Sequence, residues 1–112
     1  MIHPSEKSEQ AAIVKLLKTL NASVYILGTR RKRGDFQGTR QTPGLPDLWT
    51  FMPANALAPC GVGVWIEIKT IVGRLRPEQA KFREDCRRAG IAHLVGGVDT
   101  VVQWLRQGGW LK

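Results

Sequence analysis

Acidic residues are scarce in this chain, whereas basic residues are abundant. Its 112 residues include nine Asp and Glu against 17 Lys and Arg, so the formal net charge is +8 at pH 7, and the pI is near 10.2. This balance indicates a polyanionic partner, for which nucleic acid is the leading candidate. An anionic membrane surface is less suitable, because no predicted helix joins a basic face to a large apolar face.

Cysteine is also scarce, and the sequence has no long apolar run. The two cysteines, Cys60 and Cys86, suit no metal-ligand spacing, so we expect reduced, structural thiols. The N-terminal residues lack the apolar core of a signal peptide, and no apolar run approaches the length of a membrane span. These absences predict a cytoplasmic protein that needs no membrane.

Short apolar runs and helical periodicity predict seven elements. Strands are expected at residues 24–27, from Leu48, at residues 64–69 and at residues 91–95, because each run is bounded by turn-forming residues. The helices are expected from a Ser5 or Ser8 cap to about Leu20, over residues 77–89, and after a cap at Asp99. The order αβββαβα predicts an α/β fold, a single compact domain over residues 1–112 with a central mixed β-sheet flanked by helices.

Two strand ends place charged residues side by side. Glu67 and Lys69 share one face of their strand, while Ile66 and Ile68 enter the other. If this strand pairs with the one after Asp47, the two carboxylates can lie opposite each other. Two carboxylates and a lysine form a site for a hard cation, and Mg²⁺ is its natural occupant. The competing interpretation is a plain salt-bridged cluster.

The first helix carries acids on its buried side. Extending its apolar stripe towards the N-terminus reaches Glu9 and then Glu6, and a carboxylate facing the core needs a partner or a metal. The alternative is that both acids favour the first turn through the helix dipole. The stripe itself consists of Ile13, Leu16, Leu17 and Leu20.

Basic residues concentrate just before Asp47. Residues 28–44 lack hydrophobic periodicity and are longer than an ordinary loop, which is typical of a functional segment. We interpret their basic side chains as a rim that binds DNA, the alternative being a solvated charge run. The candidate DNA-binding residues are Arg30, Arg31, Lys32, Arg33 and Arg40, together with Arg74 and Arg76 before the second helix.

The motifs resemble those of a known nuclease superfamily. Pro46-Asp47, followed twenty residues later by Glu67-Ile68-Lys69, resembles the PD-(D/E)XK signature. With Glu9-Gln10 in the first helix and Glu78-Gln79 after a short loop, the chain looks like a VRR-NUC domain. The resemblance covers nearly the whole chain, as in the stand-alone, phage-type members. It implies a restriction-endonuclease-like fold.

By this resemblance the protein is a metal-dependent nuclease. Asp47, Glu67 and the backbone carbonyl of Ile68 would hold Mg²⁺ or Mn²⁺, and Lys69 would orient the attacking water or offset charge on the phosphate. The absence of a His/Cys cluster argues against zinc, and no organic cofactor is implied.

The helices would complete the site. Glu9 would reach it from the first helix, as a catalytic residue and a further candidate metal ligand, although Glu6 lies on nearly the same face and remains its competitor. Gln79 would support the site from the second helix.

The stand-alone branch of the family implies a homodimer that cleaves four-way (Holliday) junctions in the cytoplasm of a phage host. The exposed apolar candidates for the dimer contact are Trp104, Trp110 and Leu111, and the alternative for Trp110 is that it packs back on the core. Alternatives are a flap or non-specific DNA nuclease, or a basic DNA-binding module without catalysis. An RNA-binding protein ranks last, because the sequence lacks an evident aromatic platform for single strands.

Overall fold

The predicted order of elements is confirmed. A computed structural model describes residues 5–27, 42–70 and 74–112. Its elements are α1 (Glu6–Thr19), β1 (Ser23–Ile26), β2 (Leu48–Met52), β3 (Val62–Ile68), α2 (Pro77–Ala89), β4 (Ala92–Gly96) and α3 (Val98–Gln107). In this α/β domain, strand bounds differ from the predictions by a residue or two, as is usual for element ends.

The strands form one mixed sheet in the order β1-β2-β3-β4. The first three strands are antiparallel neighbours, whereas β4 lies parallel to β3. A parallel neighbour requires a crossover, which α2 supplies between β3 and β4. Leu48 pairs with Ile66, so the predicted hairpin forms and Asp47, one residue earlier, lies level with Glu67.

One face of the sheet carries the hydrophobic core. Alternate residues of β2 and β3 point to this face and pack beneath α1 and α3. Leu16 and Leu20 of the predicted α1 stripe are only partly buried. The fully buried members of the core are Ile13, Leu17, Leu48, Met52, Val64, Ile66, Ile68, Val101 and Leu105.

The C-terminal aromatic residues belong to this core. Trp104 and Trp110 stack with ring centroids 5.1 Å apart, and the Trp110 Nε1–H donates to the Pro53 carbonyl oxygen over 2.9 Å. Trp104, Trp110 and Leu111 are partly buried against the core. Of the two interpretations for Trp110, packing back on the core is confirmed. The expectation that Trp104, Trp110 and Leu111 are exposed is wrong, because the last turn of the chain folds back onto the sheet.

The helix ends match the predicted caps in two cases of three. Ser5 caps α1 by accepting a hydrogen bond from the Ser8 N–H over 3.1 Å, and Gly90 closes α2 with a φ of 72°. The expected Asp99 cap is wrong, because α3 starts at Val98 and Asp99 lies in its first turn. No helix in residues 5–27, 42–70 and 74–112 is long and apolar enough to cross a membrane.

Candidate active site

Asp47 and Glu67 meet where β2 begins and β3 ends. The Asp47 Oδ2 accepts a hydrogen bond from the backbone N–H of Ile68 over 2.7 Å, and the Asp47 carbonyl oxygen accepts one from Leu27 over 2.8 Å. The side chain of Asp47 is thereby attached to β3 and its backbone to the end of β1. Glu67, immediately before Ile68, keeps only 4% of its surface exposed. The structure therefore brings the two predicted carboxylates together.

Gln79 covers Glu67 on the face of the sheet that is opposite to the face covered by α1. Its Nε2 donates to the Glu67 Oε2 over 3.2 Å, and its Oε1 accepts the backbone N–H of Arg76 over 2.8 Å. Because the Arg76 N–H requires an acceptor, the amide group is oriented with its NH₂ towards the carboxylate. Gln79, which is 6% exposed, thus lies at the start of α2 as predicted.

Burial and a neighbouring acid make Glu67 reluctant to ionise. Burial raises the pKa of Glu67 from 4.5 to about 8, helped next by the charge of Asp47 and a hydrogen bond with it. The charge of Lys69 lowers this pKa, while that of Glu6 raises it further. Without a cation, Glu67 therefore keeps a proton at neutral pH.

The donor set fits a divalent cation. Two adjacent carboxylates repel each other, and an ion of charge +2 would replace the proton that Glu67 retains. Within residues 5–27, 42–70 and 74–112, no group of three or more His, Cys, Asp and Glu side chains is assembled. Two carboxylates still suffice for Mg²⁺, which usually keeps several waters and shares the substrate phosphate.

Glu9 reaches the same end of the sheet but binds the protein backbone. Its Oε1 accepts the Val98 N–H over 2.9 Å, so Glu9 caps α3 in place of the predicted Asp99. A Cβ at position 97 would collide with this oxygen, which explains Gly97. Glu6, the alternative acid, contributes its charge at Glu67. A catalytic or metal-binding role for Glu9 stays a prediction.

Lys69 follows directly from β3 and is held beside β4. Its backbone N–H donates to the Gly96 carbonyl oxygen over 2.9 Å. Strand alternation places its side chain on the face of Glu67, and its positive charge stabilises the ionised form of that acid. A cation is thus present beside the acidic pair. The role of the Ile68 carbonyl as a third metal ligand stays a prediction.

The predicted DNA-binding residues are described only in part. Arg30, Arg31, Lys32, Arg33 and Arg40 lie outside the described residues. Arg74 and Arg76 are exposed, and the Arg76 Nε lies 3.2 Å from the Glu78 Oε1. Such an exposed pair contributes little stability, so it leaves Arg76 able to bind phosphate.

Two features of the site were missed from the sequence. Gly44 has a φ of 90°, and a Cβ there would lie 2.4 Å from the Glu78 carbonyl oxygen, so the turn before Asp47 fits directly against the start of α2. The glycine two residues before Pro46 was the available signal. The second feature is a row of aromatic rings beside the acids. Its signal was the alternate spacing of positions 47, 49 and 51 and of positions 65 and 67, since alternate residues of a strand share a face.

Two comparisons with known proteins match most of this chain. The family model for the VRR-NUC domain matches residues 2–100. A solved structure described as a VRR_NUC domain matches with a TM-score of 0.63 and 23% sequence identity, covering 91% of this chain and 94% of that chain. At this identity the match supports a shared fold. No curated protein matches the sequence significantly.

Proposed function

Because the chain belongs to the VRR-NUC family of nucleases, we propose that it is a Mg²⁺- or Mn²⁺-dependent endodeoxyribonuclease. The observation that carries this proposal is the carboxylate pair, in which Asp47 is held by the Ile68 N–H beside a buried Glu67 whose burial and acidic neighbour raise its pKa to about 8. Burying Glu67 beside a second acid is costly, and a site that binds a cation explains why this cost is tolerated.

The metal would be held by Asp47, Glu67 and the Ile68 carbonyl. Held by these groups, a divalent cation would supply charge neutralisation at the phosphodiester and would lower the pKa of a bound water. The protein's part is to hold the ligands still: the Ile68 N–H fixes Asp47, and the Gln79 amide fixes Glu67. Hydrogen bonds of this kind orient metal ligands and tune their basicity.

Lys69 and one acid of α1 would complete the catalytic group. The ammonium group of Lys69, whose charge acts on Glu67, would orient the attacking water or offset charge that develops on the phosphate. Glu6 is the better-supported α1 acid, because its charge contributes to the raised pKa of Glu67, whereas the Glu9 Oε1 is engaged by Val98.

The proposed substrate is branched DNA, cut by a homodimer. A net charge of +8 favours a polyanion as the partner. The basic residues from Arg30 to Arg40 follow Leu27 in the sequence, and the Leu27 N–H donates to the Asp47 carbonyl oxygen. A chain with one active site needs two copies to cut two strands symmetrically, and a twofold dimer is the economical arrangement. Four-way junctions are the substrate that this symmetry favours.

A flap nuclease is the second candidate function. It is favoured by the exposed aromatic side chains on the face of the sheet that carries Asp47 and Glu67, since exposed rings suit unpaired bases. A flap has one scissile strand beside a single-stranded arm, so a single copy of the chain would suffice to cut it.

Cleavage of end-labelled DNA tests both candidates. A four-way junction, a flap, a linear duplex and a single strand are incubated with Mg²⁺, Mn²⁺ or EDTA. Paired symmetric cuts in the junction support the dimeric resolvase, and cuts at the branch of the flap support the second candidate. Loss of cutting with EDTA would support the metal requirement.

Two variants control this experiment. Glu67→Ala should abolish cutting while leaving junction binding intact, because the acid is buried away from the bulk of the DNA. Glu84→Ala removes an exposed acid of α2 and should cut like the unmodified protein. Binding without any cutting would refute the nuclease proposal and leave a DNA-binding module, and full activity of Glu67→Ala would refute the metal site.

A further inference from the structure

Four aromatic rings form a continuous row across β1, β2 and β3. We call Tyr25, Trp49, Phe51 and Trp65 the aromatic surface. Ring centroids are 5.4 Å apart for Tyr25 and Phe51, 5.2 Å for Trp49 and Phe51, and 4.3 Å for the stacked pair Trp49 and Trp65. These are the distances of favourable aromatic pairs, so the rings support one another.

The aromatic surface lies on the face of the sheet that carries the acids. Trp49 follows Asp47 by two residues on β2, and Trp65 precedes Glu67 by two residues on β3. Because side chains alternate along a strand, Trp65 points to the same side of the sheet as Glu67. Trp49 and Trp65 also pair directly in the β2–β3 register, which places the row one step from the acidic pair.

Only half of this face is covered by α2. Over β3, Phe82 packs edge-on against Trp65 with centroids 5.1 Å apart, and Gln79 covers Glu67. Over β1 and β2, Tyr25 keeps 50% and Phe51 keeps 43% of its surface exposed. Among residues 5–27, 42–70 and 74–112, nothing of α2 covers the Asp47 side of this face, which is also the side where the exposed rings lie.

A glycine fixes the geometry of the row. A Cβ at Gly63 would lie 2.6 Å from the Trp49 ring, so only glycine lets the indole lie flat over β3 and stack on Trp65. A ring held in this way loses little further conformational freedom when a planar ligand stacks beside it. The aromatic surface is thus preorganised rather than merely exposed.

Charge and continuity identify the occupant of this surface. The chain carries a net charge of +8, and a nucleic acid strand brings the opposite charge. Flat rings stack on every nucleobase, but they can reach base faces only where the strand is unpaired. The surface also continues directly into the carboxylate pair, where a phosphodiester would have to lie.

We propose that the aromatic surface binds unpaired bases of the DNA strand next to the bond that is cut. This rests on the proposed nuclease function and favours the second of its two candidate substrates, the flap, which has a single-stranded segment at the branch. Tyr25 and Phe51 supply the accessible rings, while Trp49, stacked on Trp65, supports them from the side of the active site.

The test measures binding in EDTA, where no cutting occurs. Fluorescence anisotropy is recorded with a labelled oligothymidylate and with a blunt-ended duplex of equal length. Tyr25→Ala and Phe51→Ala should each weaken oligothymidylate binding roughly 5- to 150-fold, the range found when a stacking aromatic is removed. Tyr25→Phe should retain near-normal affinity, because it keeps the ring. Ile26→Ala is the matched control: Ile26 is 45% exposed on the same strand, but it pairs with Leu48 and so faces the other side.

Each outcome decides the proposal. Selective loss of single-strand affinity in the two ring variants supports it. Equal loss of affinity for the oligothymidylate and the duplex, or no loss of affinity, overturns it. Conversion of a dimer to a monomer in sedimentation velocity also overturns it, because that result would assign the surface to a second copy. Glu67→Ala separates the two proposals: it should bind oligothymidylate normally even if no DNA is ever cut.

Discussion

The Asp47 carboxylate accepts the backbone N–H of Ile68 over 2.7 Å, across the β2–β3 hairpin. Asp47 precedes β2, so its side chain takes the place of a backbone acceptor at the end of the sheet. The same bond brings its charge close to Glu67, where it contributes to the raised pKa of that acid. One side chain thus closes the hairpin and creates the charge repulsion that a cation would relieve.

Substitutions at Asp47 should separate these two roles. Asp47→Asn keeps an oxygen for the Ile68 N–H, so its thermal stability should stay near that of the unmodified protein while cleavage is lost with the metal ligand. Asp47→Ala should lose cleavage and also about 1–3 kcal/mol of stability, because a backbone donor is left unsatisfied. Urea unfolding and plasmid nicking measure the two effects. Equal stability of both variants would show that the bond contributes nothing.

Stability of the metal-free protein should depend on pH through Glu67. Burial raises its folded-state pKa from 4.5 to about 8, so between these values the folded state binds more protons than the unfolded state. The contribution of Glu67 to the free energy of unfolding is therefore fully present below about pH 4.5 and is lost as the pH rises to about 8. Thermal melts in EDTA from pH 5 to 9 measure this decline.

The matched variant for this pH dependence is Glu67→Gln. It cannot ionise, so its melting temperature should vary less over the same pH range, whatever other groups contribute. Mg²⁺ should raise the melting temperature of the unmodified protein, and more at pH 8 than at pH 6, since the metal must displace the proton. A Mg²⁺ effect independent of pH, or equal in Glu67→Gln, would argue against Glu67 as a ligand.

Local patterns account for what could be predicted of the site. Glu67, Ile68 and Lys69 are consecutive, and strand alternation alone decides which of them share a face. Gln79 lies three positions inside a helix whose start is marked by Pro77, so its inward orientation also follows from short-range geometry. The hairpin partner Asp47 could be placed because the intervening residues 53–61 are rich in turn formers and leave few registers.

Long-range contacts account for what was missed. The Glu9 bond to Val98 joins residues 89 positions apart, and no local pattern marks it, whereas Asp99 looked like an ordinary cap. The aromatic surface depends on the β1–β2 register, which sets Tyr25 opposite Trp49. This register could not be predicted, because a long stretch of sequence separates the two strands. Trp104 and Trp110 were predicted to be exposed, because tertiary packing sets the turn at residues 108 and 109 that folds Trp110 back, and no local pattern marks it.

Gln79 should act through Glu67 rather than on the substrate. Gln79→Ala removes the donor to the Glu67 Oε2 and the acceptor for the Arg76 N–H. Loss of such a supporting bond typically lowers metal affinity or activity about 10- to 100-fold. Titrating Mg²⁺ in a cleavage assay should show a higher metal requirement with partial recovery at high concentration. Gln103→Ala, an exposed glutamine of α3, is the matched control, and an unchanged Mg²⁺ requirement in Gln79→Ala would exclude the positioning role.

The two acids of α1 should differ in what they stabilise. Glu9→Ala leaves the Val98 N–H without its acceptor and should destabilise the protein by about 0.5–2 kcal/mol, the range for loss of a helix cap, whereas Glu9→Gln keeps an acceptor and should recover much of this. Glu6→Ala removes an exposed charge that raises the pKa of Glu67, so it should leave stability nearly unchanged and alter the pH profile of cleavage. Urea unfolding and cleavage from pH 6 to 9 are measured on all three variants. If Glu9→Gln folds normally yet loses cleavage, while Glu6→Ala cuts with an unchanged pH profile, Glu9 is the α1 acid of the active site and the assignment to Glu6 is wrong.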